Sequence, residues 1–196
     1  MKLSRAIKWE ARLLPGESLE KSTKLFYGLY KKGSPRISIV AGIHGDEGPW
    51  GAYAINKLIE KIDISNIKGS ISLLPVANPK AFQENSRVAL MDHLDLNRVF
   101  PGDPKGSYTE RLASVITEKI IEDSDYIIDL HGGGSWCVNA FGFEFEGSEG
   151  LAKVMNPPFL LRSVEKKGSL TGYGKINGNE VTALEMGGKS YFEKDY

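Results

Sequence analysis

Acids and bases that can work on a bond stand at the ends of three strands. "AGIHGDEGPWG", residues 41–51, follows an apolar β-branched run and places His44, Asp46 and Glu47 between glycines. "DYIIDLHGGG" (125–134) ends on His131, and "EVTALEMGG" (180–188) carries Glu185 in the same place. His44 and Glu47, three apart across a strand-to-helix turn, can face one crevice, and His131 from a neighbouring strand adds a second imidazole. Two nitrogens and a carboxylate suit zinc with a fourth position left for water, and a metal there acidifies and polarises that water. A carboxylate beside the water then serves as base, the place Glu185 occupies.

Each residue also has an ordinary use. A histidine at a strand end is commonly a hydrogen-bonded structural group. Glu47 suits the first turn of a helix, where the dipole favours acids. Glu185 alone is a half-buried carboxylate with some partner. The joint placement at three strand ends favours the site. Asp46 reads as a turn acid, His93 as an exposed or rim residue, and Cys137 as a small buried side chain. Asp129, two before His131, shares its strand face, and as orienting acid or mere strand-end acid it stays open.

The elements that must carry these residues alternate. "RISIVAG" (36–42), "SISLLPVAN" (70–78), 125–134, "NAFGFEF" (139–145) and 180–188 read as strands, with a further strand around "KLFYGLYKKG" (24–33). From Pro49, which suits a first helical turn, Trp50, Ala54, Leu58 and Ile62 recur every four residues beside Ile55 and Ile59. Residues 107–123 form a second amphipathic helix, with Thr109 as its cap, and 148–155 a short one. Residues 79–108 lack clear periodicity, and a long irregular segment inside a compact domain is usually functional or disordered. The alternation predicts an α/β sheet with helices on both faces, where ligands collect at the carboxyl ends of strands.

Composition narrows the partners. The chain has 196 residues, enough for one domain, with 41% hydrophobic and 26% charged residues. Lys+Arg and Asp+Glu are both 25, so no global basic field exists for nucleic acid or anionic lipid. Neither a signal-peptide core nor a membrane-length apolar run is present, which predicts a cytoplasmic protein. One cysteine excludes an internal disulfide and a multi-cysteine zinc site.

Four blocks, in order, resemble a family. "GIHGDEGPWGA" resembles the Gly-x-His-Gly-x-Glu pattern of the zinc carboxypeptidase-like superfamily. "NPKAFQENSRVALMDHLDLNRVFPG" (78–102) resembles a segment of its succinylglutamate desuccinylase/aspartoacylase branch, "DLHGG" (129–133) the block with the last metal histidine, and "VTALEMGG" the strand with the catalytic glutamate. The resemblance implies a three-layer α/β/α fold with a mixed, mostly parallel sheet. It implies one zinc ion per chain on His44, Glu47 and His131, with Glu185 as general base. It further implies Arg87 as the carbonyl-polarising cation, Asn97 and Arg98 as the grip on a substrate carboxylate, Asp95 as the acid orienting the first histidine, and Tyr173 as a substrate contact.

The function so implied is hydrolysis of the amide bond of a small N-acyl amino acid or similar carboxylated amide. A metallocarboxypeptidase or murein-peptide amidase is the alternative, and a binding protein on the same scaffold a third reading. Residues 1–196 are expected to form a single catalytic domain without the branch's usual β-rich C-terminal part.

Overall fold

The computed structural model describes residues 1–17, 23–47 and 49–188. In chain order the elements are β1 (Lys8–Leu13), β2 (Lys24–Tyr30), β3 (Arg36–Ala41), α1 (Trp50–Lys61), β4 (Ser70–Leu74), α2 (Pro79–Glu84), α3 (Tyr108–Ile116), β5 (Tyr126–His131), β6 (Val138–Phe145), α4 (Glu149–Met155), β7 (Leu160–Ser163), α5 (Leu170–Ile176) and β8 (Glu180–Gly188). The described strands make one sheet in the order β1-β2-β4-β3-β5-β8-β6-β7.

The centre of the sheet is parallel: β4, β3, β5 and β8 run side by side in one direction. β2 joins antiparallel at one side and β6 at the other, and β7 then pairs parallel with β6. The mixed, mostly parallel α/β sheet expected from the sequence is present. The central strands are apolar because both faces are covered, a demand that only near-continuous hydrophobic runs meet. β4, "SISLL", is buried along its whole length.

Each face has its own core. Ala41, Ile71 and Leu73 pack with Ile55 and Ile59 of α1. On the other face Val40, Leu74, Ile127 and Val181 pack with Leu112 and Ile116 of α3 and Leu170 of α5. Alternate residues of one strand therefore serve opposite layers. Each fully buried Leu or Ile contributes about 1.5–3 kcal/mol relative to exposure.

Three local expectations need correction. Ser107, not Thr109, caps α3: its hydroxyl accepts from Glu110 N at 3.5 Å, while the Glu110 carboxylate accepts from Ser107 N at 2.8 Å. Thr109 instead donates from N and Oγ1 to the Asp92 carboxylate, at 2.7 and 2.8 Å, tying the preceding loop to the helix. The segment 79–108 is not irregular throughout. Asn78 Oδ1 accepts from Ala81 N, and Pro79 opens α2, because its missing N–H is no loss in a first turn. Cys137 is exposed rather than buried.

Candidate metal centre

Three adjacent strands deliver the site. β3 leads through the turn at Gly42 (φ +67°) to His44, and β5, its parallel neighbour, ends on His131. His131 lies opposite Glu185 of β8 in register, so the two side chains rise from one face. The turn after His44 sits directly against α2. A Cβ at Gly45 would stand 2.0 Å from the Ala81 carbonyl oxygen, and Gly45 N donates to Ser86 O at 2.9 Å. Glycine at 45 is thus a packing requirement. The 3-10 turn Gly45–Glu47 then brings Glu47 back to His44. Gly48, the next residue of the opening motif, lies outside the described residues.

His44, Glu47 and His131 come together, with one ligand atom from each within 4.8 Å of the others. Glu47 bridges the two rings: its Oε1 pairs with His44 Nδ1 and its Oε2 with His131 Nδ1 at 2.9 Å. The opposite ring nitrogens are held from behind. His44 Nε2 bonds Asp95 Oδ1 at 3.1 Å, and His131 Nε2 bonds Asp129 Oδ2 at 2.8 Å. A carboxylate behind each imidazole fixes the ring and makes the inward nitrogen more basic, as metal-binding histidines require. Two oriented Nδ1 atoms and a carboxylate on one small surface therefore fit a zinc-like divalent cation.

Charge follows from these contacts. Burial works against ionisation of Glu47, but the hydrogen bonds from His131 and His44 outweigh it and pull its carboxyl down to about 2. Burial disfavours the charged form of both histidines too. For His44 the bonds to Asp95 and Glu47 prevail, and for His131 those to Asp129 and Glu47, so both stand above the ordinary histidine value. Asp95 loses solvation, yet His44, Arg87 and the Asn97 N–H hold it well below the carboxylate range. Glu185 goes the other way: burial, only partly opposed by His131, pushes its carboxyl up.

His44, Glu47, Asp129, His131 and Glu185 line a cleft of about 280 Å³. Arg87, half-exposed, donates from Nη2 to Asp95 Oδ2 at 3.0 Å, with Nη1 3.8 Å from Glu47. Asn97 and Arg98 are also on its wall. Asn97 N donates to Asp95, and its Oδ1 accepts from Leu170 N at 2.8 Å, joining this loop to the start of α5. Arg98 Nη1 donates to the Asn97 carbonyl at 2.6 Å. Tyr173 is not brought to the cleft. Its segment is helix α5 rather than a turn, and its ring packs on the core shared with α3. His93 is exposed at φ +55°.

A sequence model of the succinylglutamate desuccinylase/aspartoacylase catalytic domain matches residues 33–195. The chain belongs to that family. A curated relative, the N-alpha-acetyl-L-2,4-diaminobutyric acid deacetylase of Halomonas elongata, is 38% identical over 100 residues, 51% of this chain and 29% of the relative. Two solved structures share the fold. The succinylglutamate desuccinylase/aspartoacylase from Rhodobacter sphaeroides matches with a TM-score of 0.84 at 23% identity, over 96% of this chain and 60% of that one. The product-bound ectoine utilization protein EutE (DoeB) from Ruegeria pomeroyi matches with a TM-score of 0.83 at 24% identity, over 96% and 62%. The chain thus spans less than two thirds of the length of these relatives.

Several lining groups of this family member escape a reading by motif. Asp129 was legible as a same-face neighbour of His131, and its bond now gives it a partner. Lys166 and the aromatic wall of Phe143 and Phe145 also line the cleft. The alternation of "NAFGFEF" marks one face of β6 for Asn139, Phe141, Phe143 and Phe145, but not what that face meets.

Proposed function

We propose that this chain hydrolyses the amide bond of a small N-acyl amino acid or similar carboxylated amide, with zinc held by His44, Glu47 and His131. The observation that carries the reading is the His44–Glu47–His131 cluster standing in one cleft with Glu185, in a chain of this family. When bound, the metal supplies the Lewis acidity that polarises the scissile carbonyl and acidifies the attacking water.

The chain's own groups do the rest. Glu185 takes a proton from the water and returns it to the leaving amine. Its raised carboxyl pKa suits a base that must release the proton again. Arg87 offers a fixed cation to the charge that develops on the carbonyl oxygen. Arg98 and Asn97 hold the substrate carboxylate. Because Asn97 Oδ1 is committed to Leu170 N, the amide of Asn97 presents donors to the cleft, the polarity an anion needs. Lys166 adds a third cation to the wall, after Arg87 and Arg98.

The test is a panel of N-acyl amino acids and short peptides, some with D-residues, incubated with zinc-loaded protein and read by amine release. Turnover of N-acyl amino acids above the peptides supports the proposal. Turnover confined to peptides assigns a peptidase instead.

A further inference from the structure

Glu185 does not stand alone in the cleft. Asn139, near the start of β6, donates from Nδ2 to Glu185 Oε2 at 3.0 Å. Oε1 has no hydrogen-bond partner among the described residues. We propose that Asn139 is a positioning residue for Glu185, holding one carboxylate oxygen so that the other is presented to the substrate. The inference rests on the reading of Glu185 as general base.

The contact is built into the sheet. β6 pairs antiparallel with β8, with Asn139 opposite Gly187 and Phe141 opposite Glu185. Asn139 and Glu185 are therefore diagonal neighbours on one face, a spacing within reach of two polar side chains. The residue directly facing Asn139 is glycine, so no side chain on that cross-strand partner competes for its amide.

The turn that brings β6 back is itself tightly set. Gly133 N donates to Gly187 O at 3.1 Å, and Cys137 N donates to Gly133 O at 3.2 Å. A Cβ at Gly133 or at Gly188 would stand 1.9 Å from the Cys137 carbonyl oxygen. Only glycine at both positions lets the strand leaving His131 return two residues ahead of Asn139. The orientation of the amide also follows from its partners. Cys137 Sγ lies 3.3 Å from Asn139 Oδ1, where the thiol can donate, and an ionised Glu185 can only accept. The Nδ2 donor is thereby directed to the carboxylate.

Asn139 acts through Glu185, so its loss should lower turnover without weakening substrate binding. Misplacing a reacting group by about 1 Å costs up to about 100-fold in rate. Asn139→Leu and Asn139→Ala are compared with the parent protein and with Glu185→Gln for kcat, KM, zinc content and melting midpoint. Asn139 is half-buried, so the Ala variant serves if the bulkier Leu fails to fold. The expected result is a 10- to 100-fold fall in kcat, on the order set by such misplacement, with KM and zinc content as in the parent. A kcat within twofold of the parent in a folded variant, while Glu185→Gln is inactive, overturns the positioning role alone. A fall that tracks zinc loss or resides in KM overturns it too. A parent without amide hydrolysis, or a Glu185→Gln protein that retains parental kcat, removes the base assignment and the role of Asn139 with it.

Discussion

Asp129→Asn isolates what the carboxylate behind the imidazole of His131, a proposed zinc ligand, is worth. Asp129 is 1% exposed, and its Oδ2 lies 2.8 Å from His131 Nε2. Asparagine keeps the shape and an accepting oxygen but removes the charge. A hydrogen bond to a charged group contributes about 1.5–3 kcal/mol and a neutral one about 0.5–1.5 kcal/mol. The difference, about 1–1.5 kcal/mol, is close to a tenfold change in an equilibrium constant. Zinc affinity should therefore fall about tenfold, at the lower end of the 10- to 100-fold range for such outer partners. Asp129→Ala removes the acceptor as well and should fall near the upper end. Competition with a chelator of known affinity measures both, with circular dichroism of the metal-free proteins as the folding control. An Asn variant that binds zinc within twofold of the parent would refute the reasoning, because His131 would then need no orienting charge.

Three further outcomes follow from the same geometry. Glu185→Gln should keep its zinc and lose about 10²- to 10⁴-fold in kcat, read by metal analysis and amine release together. Zinc affinity should keep rising as pH passes the ordinary histidine value of 6.5, because His44 and His131 hold their protons above it and a protonated Nδ1 cannot bind metal. A plateau already reached below that pH in chelator competition would contradict those raised values. Ser107→Ala should cost about 1 kcal/mol of stability in denaturant titration, while Thr109→Ala acts through the Asp92 loop instead of through a cap.

The residues of the proposed site are more legible in the sequence than the supports around them. His44, Glu47, His131 and Glu185 are separated by up to 141 positions, yet His44 and His131 close apolar runs beside glycine, Glu47 follows His44 in the same Gly-rich turn, and Glu185 stands near the end of its apolar run, two before Gly187. Parallel strands then bring those ends together by register alone. Ser107 does not stand out in the sequence because Thr109, two residues on, is an equally good cap type until Asp92 claims it. The helix 79–84 is too short to show a period. Tyr173 carries no local sign that α5 turns its ring to the core. Asn139 depends on the pairing of β6 with β8, a contact across 46 residues, and no spacing within either strand reveals it.

Turnover of an N-acyl amino acid before and after metal removal tests the central claim most directly. The protein should hold one zinc per chain, lose amine release when the metal is chelated, and regain it on adding one equivalent back. Undiminished turnover by the chelated protein, or a folded protein that takes up no zinc, would contradict the account.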